Sequence, residues 1–471
     1  MTLQLDDIQG VILHGYGALD DAAFLLLAID DVAAAKRWLA GLELRDSTAT
    51  PEAADTCTNI AFTPSGLAKL GLPQEQLDML AGEFREGMSG TEHRRRILGD
   101  HGQSCPSAWR WDGADVHALL LLYGHDSTAV AELENSHDLP GSGLHIVRRL
   151  DSLTLPGRKE HFGFRDGISQ PLIDGYDEGG PAGNTVAAGE FVLGYPNAYG
   201  QYTDRPLVDP SADTRGLLPA AADAPALRDL GKGGSYLVFR QLKQDVAGFW
   251  NSLADRSADA LDRVPACVGL AAKMVGRWPS GAPLVKAPTA DNPALADDND
   301  FMYFRSEDPD GLKCPIGSHL RRSNPRDALD PVPGSDRSID VGKRHRIIRR
   351  GRAYGPPLAP SMEPADMIAA ADDGVERGLH FICFNTQLGR QFEFIQHTWV
   401  NSTKFDGGYA EDDPITGARG NGNGTAAGTF TVQQEPVRRR VTGLPRFVHT
   451  VGGAYFFMPG VAATRYLAAL P

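Results

Sequence analysis

The 471-residue chain has too few cysteines for a stapled fold. Cys57, Cys105, Cys267, Cys314 and Cys383 are odd in number, widely spaced and form no CxxC pair. That usage suits a reducing compartment rather than a disulfide scaffold. Long hydrophobic runs are also missing, and stretches such as Ala118 to Tyr123 are far too short to cross a bilayer. The opening MTLQLDDIQGVILHGYG has no basic region followed by an apolar one, and no twin arginine. The expectation is a cytoplasmic protein with no membrane contact. Nor is there a surplus of positive charge: 46 Lys+Arg stand against 60 Asp+Glu, a net charge of −14. This balance disfavours nucleic acid or an anionic membrane as the main partner. No short-period repeat is visible, and the oligomeric state, monomer or homodimer, is left open.

What is present is an ordinary globular composition, 42% hydrophobic and 23% charged, with abundant loop formers. Glycine (53) and proline (32) together exceed their usual combined share of about 12%. Long connections between modest regular elements are therefore expected. The length allows two to four domains.

Hydrophobic periodicity gives two α+β units. In the first, strands read at Ala23 to Ile29, Cys57 to Phe62, Val116 to Tyr123 and Gly143 to Leu150. Helices follow Asp30-Asp31 and Thr63-Pro64-Ser65, where acidic or hydroxyl residues suit N-caps, and a third covers His125 to Ser136. The order β-α-β-β-α-β is the ferredoxin-like signature. In the second, strands read at Tyr236 to Leu242, Leu379 to Phe384 and Tyr455 to Met458. Helical patterns there cover Asp245 to Ala254, Leu388 to Trp399 and Ala462 to Leu470, with an insertion at about 278–375. Residues 179–234, rich in Gly, Pro, Ala and Asp, read as a linker. The expected organisation is an N-terminal domain over 1–225 and a C-terminal domain over 226–471.

Three segments carry candidate chemistry. In His161-Phe-Gly-Phe-Arg-Asp-Gly-Ile-Ser-Gln-Pro171, Gly163 and Gly167 bracket Asp166. The aspartate either caps its own turn or presents a carboxylate to a cavity. In Cys314-Pro-Ile-Gly-Ser-His319-Leu-Arg-Arg-Ser-Asn-Pro-Arg326, nearby arginines would disfavour imidazolium, leaving His319 fit for a metal. Arg321, Arg322 and Arg326 would also suit propionate or phosphate groups, unless the loop is a basic surface. The third segment, His345-Arg-Ile-Ile-Arg-Arg-Gly-Arg-Ala-Tyr-Gly-Pro356, reads as a basic strand in which one arginine could face a polar pocket.

Taken together, GFRDG, CPIGSHLRRSNPR and RIIRRGRAYG resemble the dye-decolorizing peroxidase family, as do DDIQGVILHGYG and RQFEFIQHTWVN. The resemblance covers nearly the whole chain. It implies one b-type haem per chain, held mainly by the C-terminal half of two ferredoxin-like domains, with hydrogen peroxide and dye-like or phenolic donors as substrates. His319 matches the proximal iron ligand, Asp166 the distal acid–base residue and Arg349 the distal arginine. Gly167, Ile168, Ser169, Asn324, Pro325 and Arg326 match residues lining the haem, and Leu379 and Phe381 its apolar distal wall. Tyr354 and Trp399 match positions where some relatives oxidise bulky donors at the surface. Glu393 is the carboxylate expected behind His319. A distal carboxylate with a reference pKa of about 3.9 implies turnover at about pH 3–5. The competing readings are a haem-handling protein with little turnover and a haem-free binding module.

Overall fold

A computed structural model of the chain describes residues 2–52, 55–419 and 428–471. The N-terminal unit runs β1 (Asp21–Ile29), α1 (Val32–Ala40), β2 (Cys57–Phe62), β3 (Ala118–Gly124), α2 (Ser127–Ser136) and β4 (Leu144–Leu153). Its antiparallel strands lie in the order β4-β1-β3-β2, the ferredoxin-like arrangement expected from the sequence. The helices begin where the sequence supplies acceptors: Asp31 accepts from Ala34 N at 3.0 Å and Asp126 from Ala129 N at 2.8 Å. Such caps contribute about 1 kcal/mol each.

The C-terminal unit runs β5 (Ser235–Gln244), α3 (Val246–Asp255), α4 (Arg263–Val275), α5 (His319–Ser323), β6 (Ile348–Arg349), β7 (Arg352–Tyr354), β8 (Gly378–Asn385), β9 (Val448–Met458) and α6 (Val461–Ala469). Its strand order, β9-β5-β8-β7, repeats the N-terminal pattern, with β6 also paired to β8. The two sheets then close on each other. β9 meets β2 at Phe457 and Phe62, and β7 meets β4 at Ala353 and Leu153, one residue pair at each seam.

Closure gives every strand an inner and an outer face, so successive residues enter different cores. Phe24, Leu26, Leu119, Leu121, Phe239, Ile382 and Phe456 share the inner cluster. Leu25, Leu27, Leu120, Leu122, Val238 and Cys383 share the outer one, beneath the helices. This double burial explains why β1 and β3 read as continuous apolar runs rather than as alternation.

Three elements depart from the sequence expectations. β9 begins at Val448, well before Tyr455, because Gly452 and Gly453 interrupt the apolar pattern at a register irregularity. A Cβ at Gly452 would meet Trp111 Nε1 at 2.3 Å, so close packing dictates the glycine. The expected helix over Leu388 to Trp399 is one α-turn, Phe392–Phe394, continued as a π-helix over Ile395–Val400. A hairpin of Gly428–Val432 with Arg439–Leu444 was not anticipated at all. No helix among the described residues is long and apolar enough to cross a membrane.

Phe239 sits at the centre of the inner core, edge-on to Phe24, Trp111 and His380 at 5.6, 5.3 and 5.6 Å between ring centroids. Phe239→Ala should destabilise the protein by about 3–5 kcal/mol, read as a lowered midpoint in denaturant unfolding.

Candidate functional site

A cavity of about 270 Å³ lies on the outer face of the C-terminal unit. Strand alternation builds one wall: Arg240, Leu242 and Gln244 of β5 and Leu379 and Phe381 of β8 all line it. Phe392, Ile395 and Val400 of the π-helical segment and Ile415 extend the apolar surface.

His319 enters at the start of α5, whose first turn is capped by the Ser318 side chain accepting from Arg321 N. Its Nδ1–H donates to Asp413 Oδ2 at 2.9 Å, while Asp413 Oδ1 accepts from Ile415 N at 2.9 Å and Thr416 N at 2.8 Å. That hydrogen bond fixes the tautomer and leaves Nε2 with its lone pair available. Burial opposes ionisation of Asp413, yet His319 and the Thr416 N–H outweigh it and hold the carboxyl well below the usual range. Burial likewise lowers the His319 pKa, but the Asp413 charge reverses the shift and the net direction is upward.

The sequence expectations for this side need correction. Glu393 is not the partner of His319. It is buried with Arg94 Nη1 at 2.5 Å and the Tyr455 hydroxyl at 2.7 Å. The arginines near His319 do not bathe it in positive charge either. Arg321 spends its donors on Asp308 and on the carbonyls of Asp308, Pro309 and Cys314. Arg322 donates to the carbonyls of Trp399, Ser402 and Glu411. Arg326 donates to the Asn299 and Phe301 carbonyls, and neither it nor Pro325 lines the cavity.

Asp166 lines the same cavity as His319. Residues 158–166 form a hairpin in which Asp166 N donates to the Arg158 carbonyl and Glu160 N to that of Phe164. Gly163 turns it with φ +91°, where a Cβ would meet Met367 Cε at 2.2 Å. Arg349 Nη1 donates to Asp166 Oδ1 at 2.8 Å, and the Gly167 N–H to the same oxygen at 2.6 Å. Gln170 locks the Arg349 backbone by accepting from its N–H at 3.1 Å and donating to its carbonyl at 3.0 Å. The Asp166 side chain is 38% exposed, but what it is exposed to is the cavity and the channel leading out of it. Burial by itself would raise its pKa; Arg349 and the Gly167 N–H outweigh burial, and the carboxyl stays ionised below its ordinary range.

Of the remaining candidates, Ile168, Ser169, Asn324, Leu379 and Phe381 line the cavity, and Gly167 lines the outer channel. Tyr354 and Trp399 are not surface residues. Tyr354 is 9% exposed and stacks on His380 at 4.6 Å, and Trp399 is 5% exposed against His345 and Phe394. Neither ring is presented to a bulky donor. Asp413 was missed because its contact spans 94 positions of chain, and the Glu411-Asp412-Asp413-Pro414 run reads as a solvated loop.

The cavity suits a flat apolar group that carries anions. Arg346 and Arg277 stand on its wall, and Arg346 Nη2, Arg277 Nε and Asn324 Nδ2 are buried without a hydrogen-bond partner among the described residues. Burial pushes the Arg346 and Arg277 guanidinium pKa values down to about 9 and about 10, although Arg277 also donates to the Gly281 and Asp298 carbonyls and to Ser169 and Asn299. A bare metal ion is a poor fit. Among the described residues no group of three or more His, Cys, Asp or Glu side chains could hold one.

Comparison with known proteins gives a consistent set of relatives, although no family model matches. A dye-decolorizing peroxidase of Mycena epipterygia is 32% identical, over 99% of this chain and 88% of its own length. One from Auricularia auricula-judae is 31% identical over 98% and 86%. Among solved structures, an ancestral D-type dye-decolorizing peroxidase superposes with a TM-score of 0.79 at 28% identity, covering 99% of both chains. Another, in complex with 2,6-dimethoxyphenol, gives 0.77 at 27% identity over 99% of this chain and 100% of its own.

Asp413→Ala would strand the N–H groups of His319, Ile415 and Thr416, at about 1–3 kcal/mol. The melting temperature should fall, and the downfield His319 Nδ1–H proton resonance should disappear.

Proposed function

The chain belongs to the dye-decolorizing peroxidase family, oxidoreductases that use hydrogen peroxide, and on that premise we propose how its residues divide the work. His319 Nε2 would hold the iron of one b-type haem per chain, and Asp166 and Arg349 would act on hydrogen peroxide in the same cavity. The haem, when bound, supplies redox-active iron and two carboxylates. Arg346, Arg277 and Asn324 have the unpartnered donors to receive those carboxylates. Leu379, Phe381, Phe392 and Ile395 would cover its apolar faces and exclude water.

One observation carries the reading: an imidazole with a free Nε2 and a carboxylate held ionised by an arginine open onto one cavity. Asp166 accepts a proton from one peroxide oxygen and returns it to the other, which then leaves as water. Arg349 serves twice, keeping Asp166 ionised and offering N–H groups to negative charge that develops as the O–O bond breaks. Asp413 strengthens His319 as a donor by drawing on its Nδ1–H. Protein that merely carried haem would need none of the Asp166–Arg349–Gln170 bracing, which favours turnover over storage. The phenol bound in one solved relative supports phenolic and dye-like donors as reductants here.

Reconstituted protein should show a Soret band that is lost or blue-shifted in His319→Ala and kept in His345→Ala and His380→Ala. Survival of the wild-type spectrum in His319→Ala would overturn the ligand assignment. For the distal pair the sign is fixed by charge. Arg349 lowers the Asp166 pKa, so ionised carboxylate persists into acid; Arg349→Leu should raise that pKa and move the acid limb of the peroxide reaction to higher pH. The rate should also fall roughly a hundredfold, read by stopped-flow absorbance. An unmoved limb would sink the assignment.

A further inference from the structure

Asp166 can shuttle a proton already on peroxide, but the net reaction consumes more. One hydrogen peroxide, two protons and two electrons, one from each of two donor molecules, give two waters. Two protons must therefore enter the cavity from outside in every cycle. Resting on the peroxidase reading above, we propose that Glu160 is the residue that carries them, relaying protons from the outer channel to Asp166.

Position is the first argument. Glu160 and Asp166 both line the cavity and both line the adjoining outer pocket, so both carboxyls stand where the two meet. The hairpin pairs Arg158 with Asp166 and Glu160 with Phe164, with Lys159 opposite Arg165 between them. Glu160 and Asp166 are thus diagonal neighbours on one hairpin face, a relation that typically separates residues by about 7–8 Å. That gap is the width of one or two water molecules.

The second argument is an unpaired acceptor. Glu160 Oε2 accepts from Phe162 N at 2.9 Å and lies 2.8 Å from Gln244 Nε2; Oε1 accepts from Phe164 N at 3.1 Å. Gln244 Oε1, by contrast, is buried with no partner among the described residues. The two ends of an amide are interchangeable by a flip. With Gln244 flipped, a protonated Glu160 donates its O–H to Gln244 Oε1, and Nε2 takes the unpartnered position instead. Gln244 can thus partner Glu160 in either protonation state, which a pure turn cap would not require.

The electrostatics agree. Burial pushes the Glu160 carboxyl up to about 7 against the pull of its hydrogen bonds, and the Asp166 charge pushes the same way. The charged and titratable groups around the cavity are Asp166 and Arg165 of the hairpin, Arg349 of β6, Arg346 and His345 just before it, Arg277 beyond α4, Arg240 of β5, Arg446 before β9, and His319. Arg349 pairs with Asp166, Arg165 with Asp297 and Arg240 with Asp100, so none of these cations is bonded to Glu160. Two carboxyls in one cavity, one held ionised and one protonated near neutrality, divide into base and acid.

Glu160→Gln tests this in haem-loaded protein. In the wild type, infrared difference spectra of the resting protein between pH 5 and 9 should show a protonated-carboxyl C=O band that titrates near neutrality. The band should vanish in Glu160→Gln and remain in Asp166→Asn. Stopped-flow reaction with peroxide should show a limb near pH 7 that is absent in Glu160→Gln, with a rate at pH 6 at least tenfold lower and the Soret band kept. Gln244→Leu, which leaves the carboxyl in place, should move the infrared midpoint to higher pH. Absence of the wild-type band, or a Glu160→Gln rate within twofold of wild type with its limb unmoved, overturns the relay. Failure of the wild type to show a Soret band overturns the reading beneath it, and the infrared titration does not depend on turnover.

Discussion

A buried guanidinium brings five N–H donors out of water and must find acceptors for them, and this demand organises the C-terminal half of the protein. Arg321 and Arg322, both fully buried, are met by backbone carbonyls, as is Arg326. Arg350 reaches back to the carbonyls of Val11, Ile12 and Leu13, and Arg352 to those of Tyr16 and Leu19. These side chains act as struts to carbonyls in loops and at the ends of short helices. A loop-rich chain with 53 glycines and 32 prolines leaves many carbonyls unpaired, and arginine supplies the missing donors. Against that background Arg346 stands out: it faces the cavity with Nη2 buried and unpartnered among the described residues, beside Arg349, which pairs with Asp166.

The same economy separates the two sides of the site. On the His319 side the negative charge belongs to Asp413, fully buried and held by three neighbours, so it orients and polarises the imidazole without itself exchanging protons. On the other side Asp166 keeps one oxygen on Arg349 and looks into open space. Two aspartates of identical chemistry therefore differ in environment. Asp413 is satisfied on both carboxylate oxygens, and Asp166 on one only.

How much of this was legible in the sequence follows from how local each feature is. The strands of both units, the Asp31 and Asp126 caps and the GFRDG hairpin depend on residues a few positions apart, and their patterns survive in the sequence. The sheet closure depends on two single-pair seams between distant strands, and no pattern within either strand announces it. Adjacency misled most around His319. Arg321, Arg322 and Arg326 are its neighbours in sequence, yet the α5 turn points them to Asp308, Trp399 and Asn299. The true partner, Asp413, lies in an acidic run that looks solvated until folding buries it. Glu160 sat one residue from a segment already singled out and carried no signal, because a glutamate before a turn is unremarkable until its hydrogen bonds are known.

The position of the cavity is itself a consequence of the strand pleat. In the N-terminal unit the outward residues Leu25, Leu27, Leu120 and Leu122 pack under helices and make a sealed core with Ala35, Leu39 and Val130. The same outward phase in the C-terminal unit carries Leu379 and Phe381 on β8 and Arg240, Leu242 and Gln244 on β5. There α3 and α4 gather a separate cluster with Phe162, Phe164, Phe301 and Tyr303. The sheet face they leave is roofed instead by the His319 loop, the 158–166 hairpin and the π-helical segment. Loops roof less tightly than helices because their side chains do not interdigitate at a regular spacing. Duplicated topology thus yields a core in one half and an open cavity in the other, and the difference lies in what covers an otherwise equivalent sheet face.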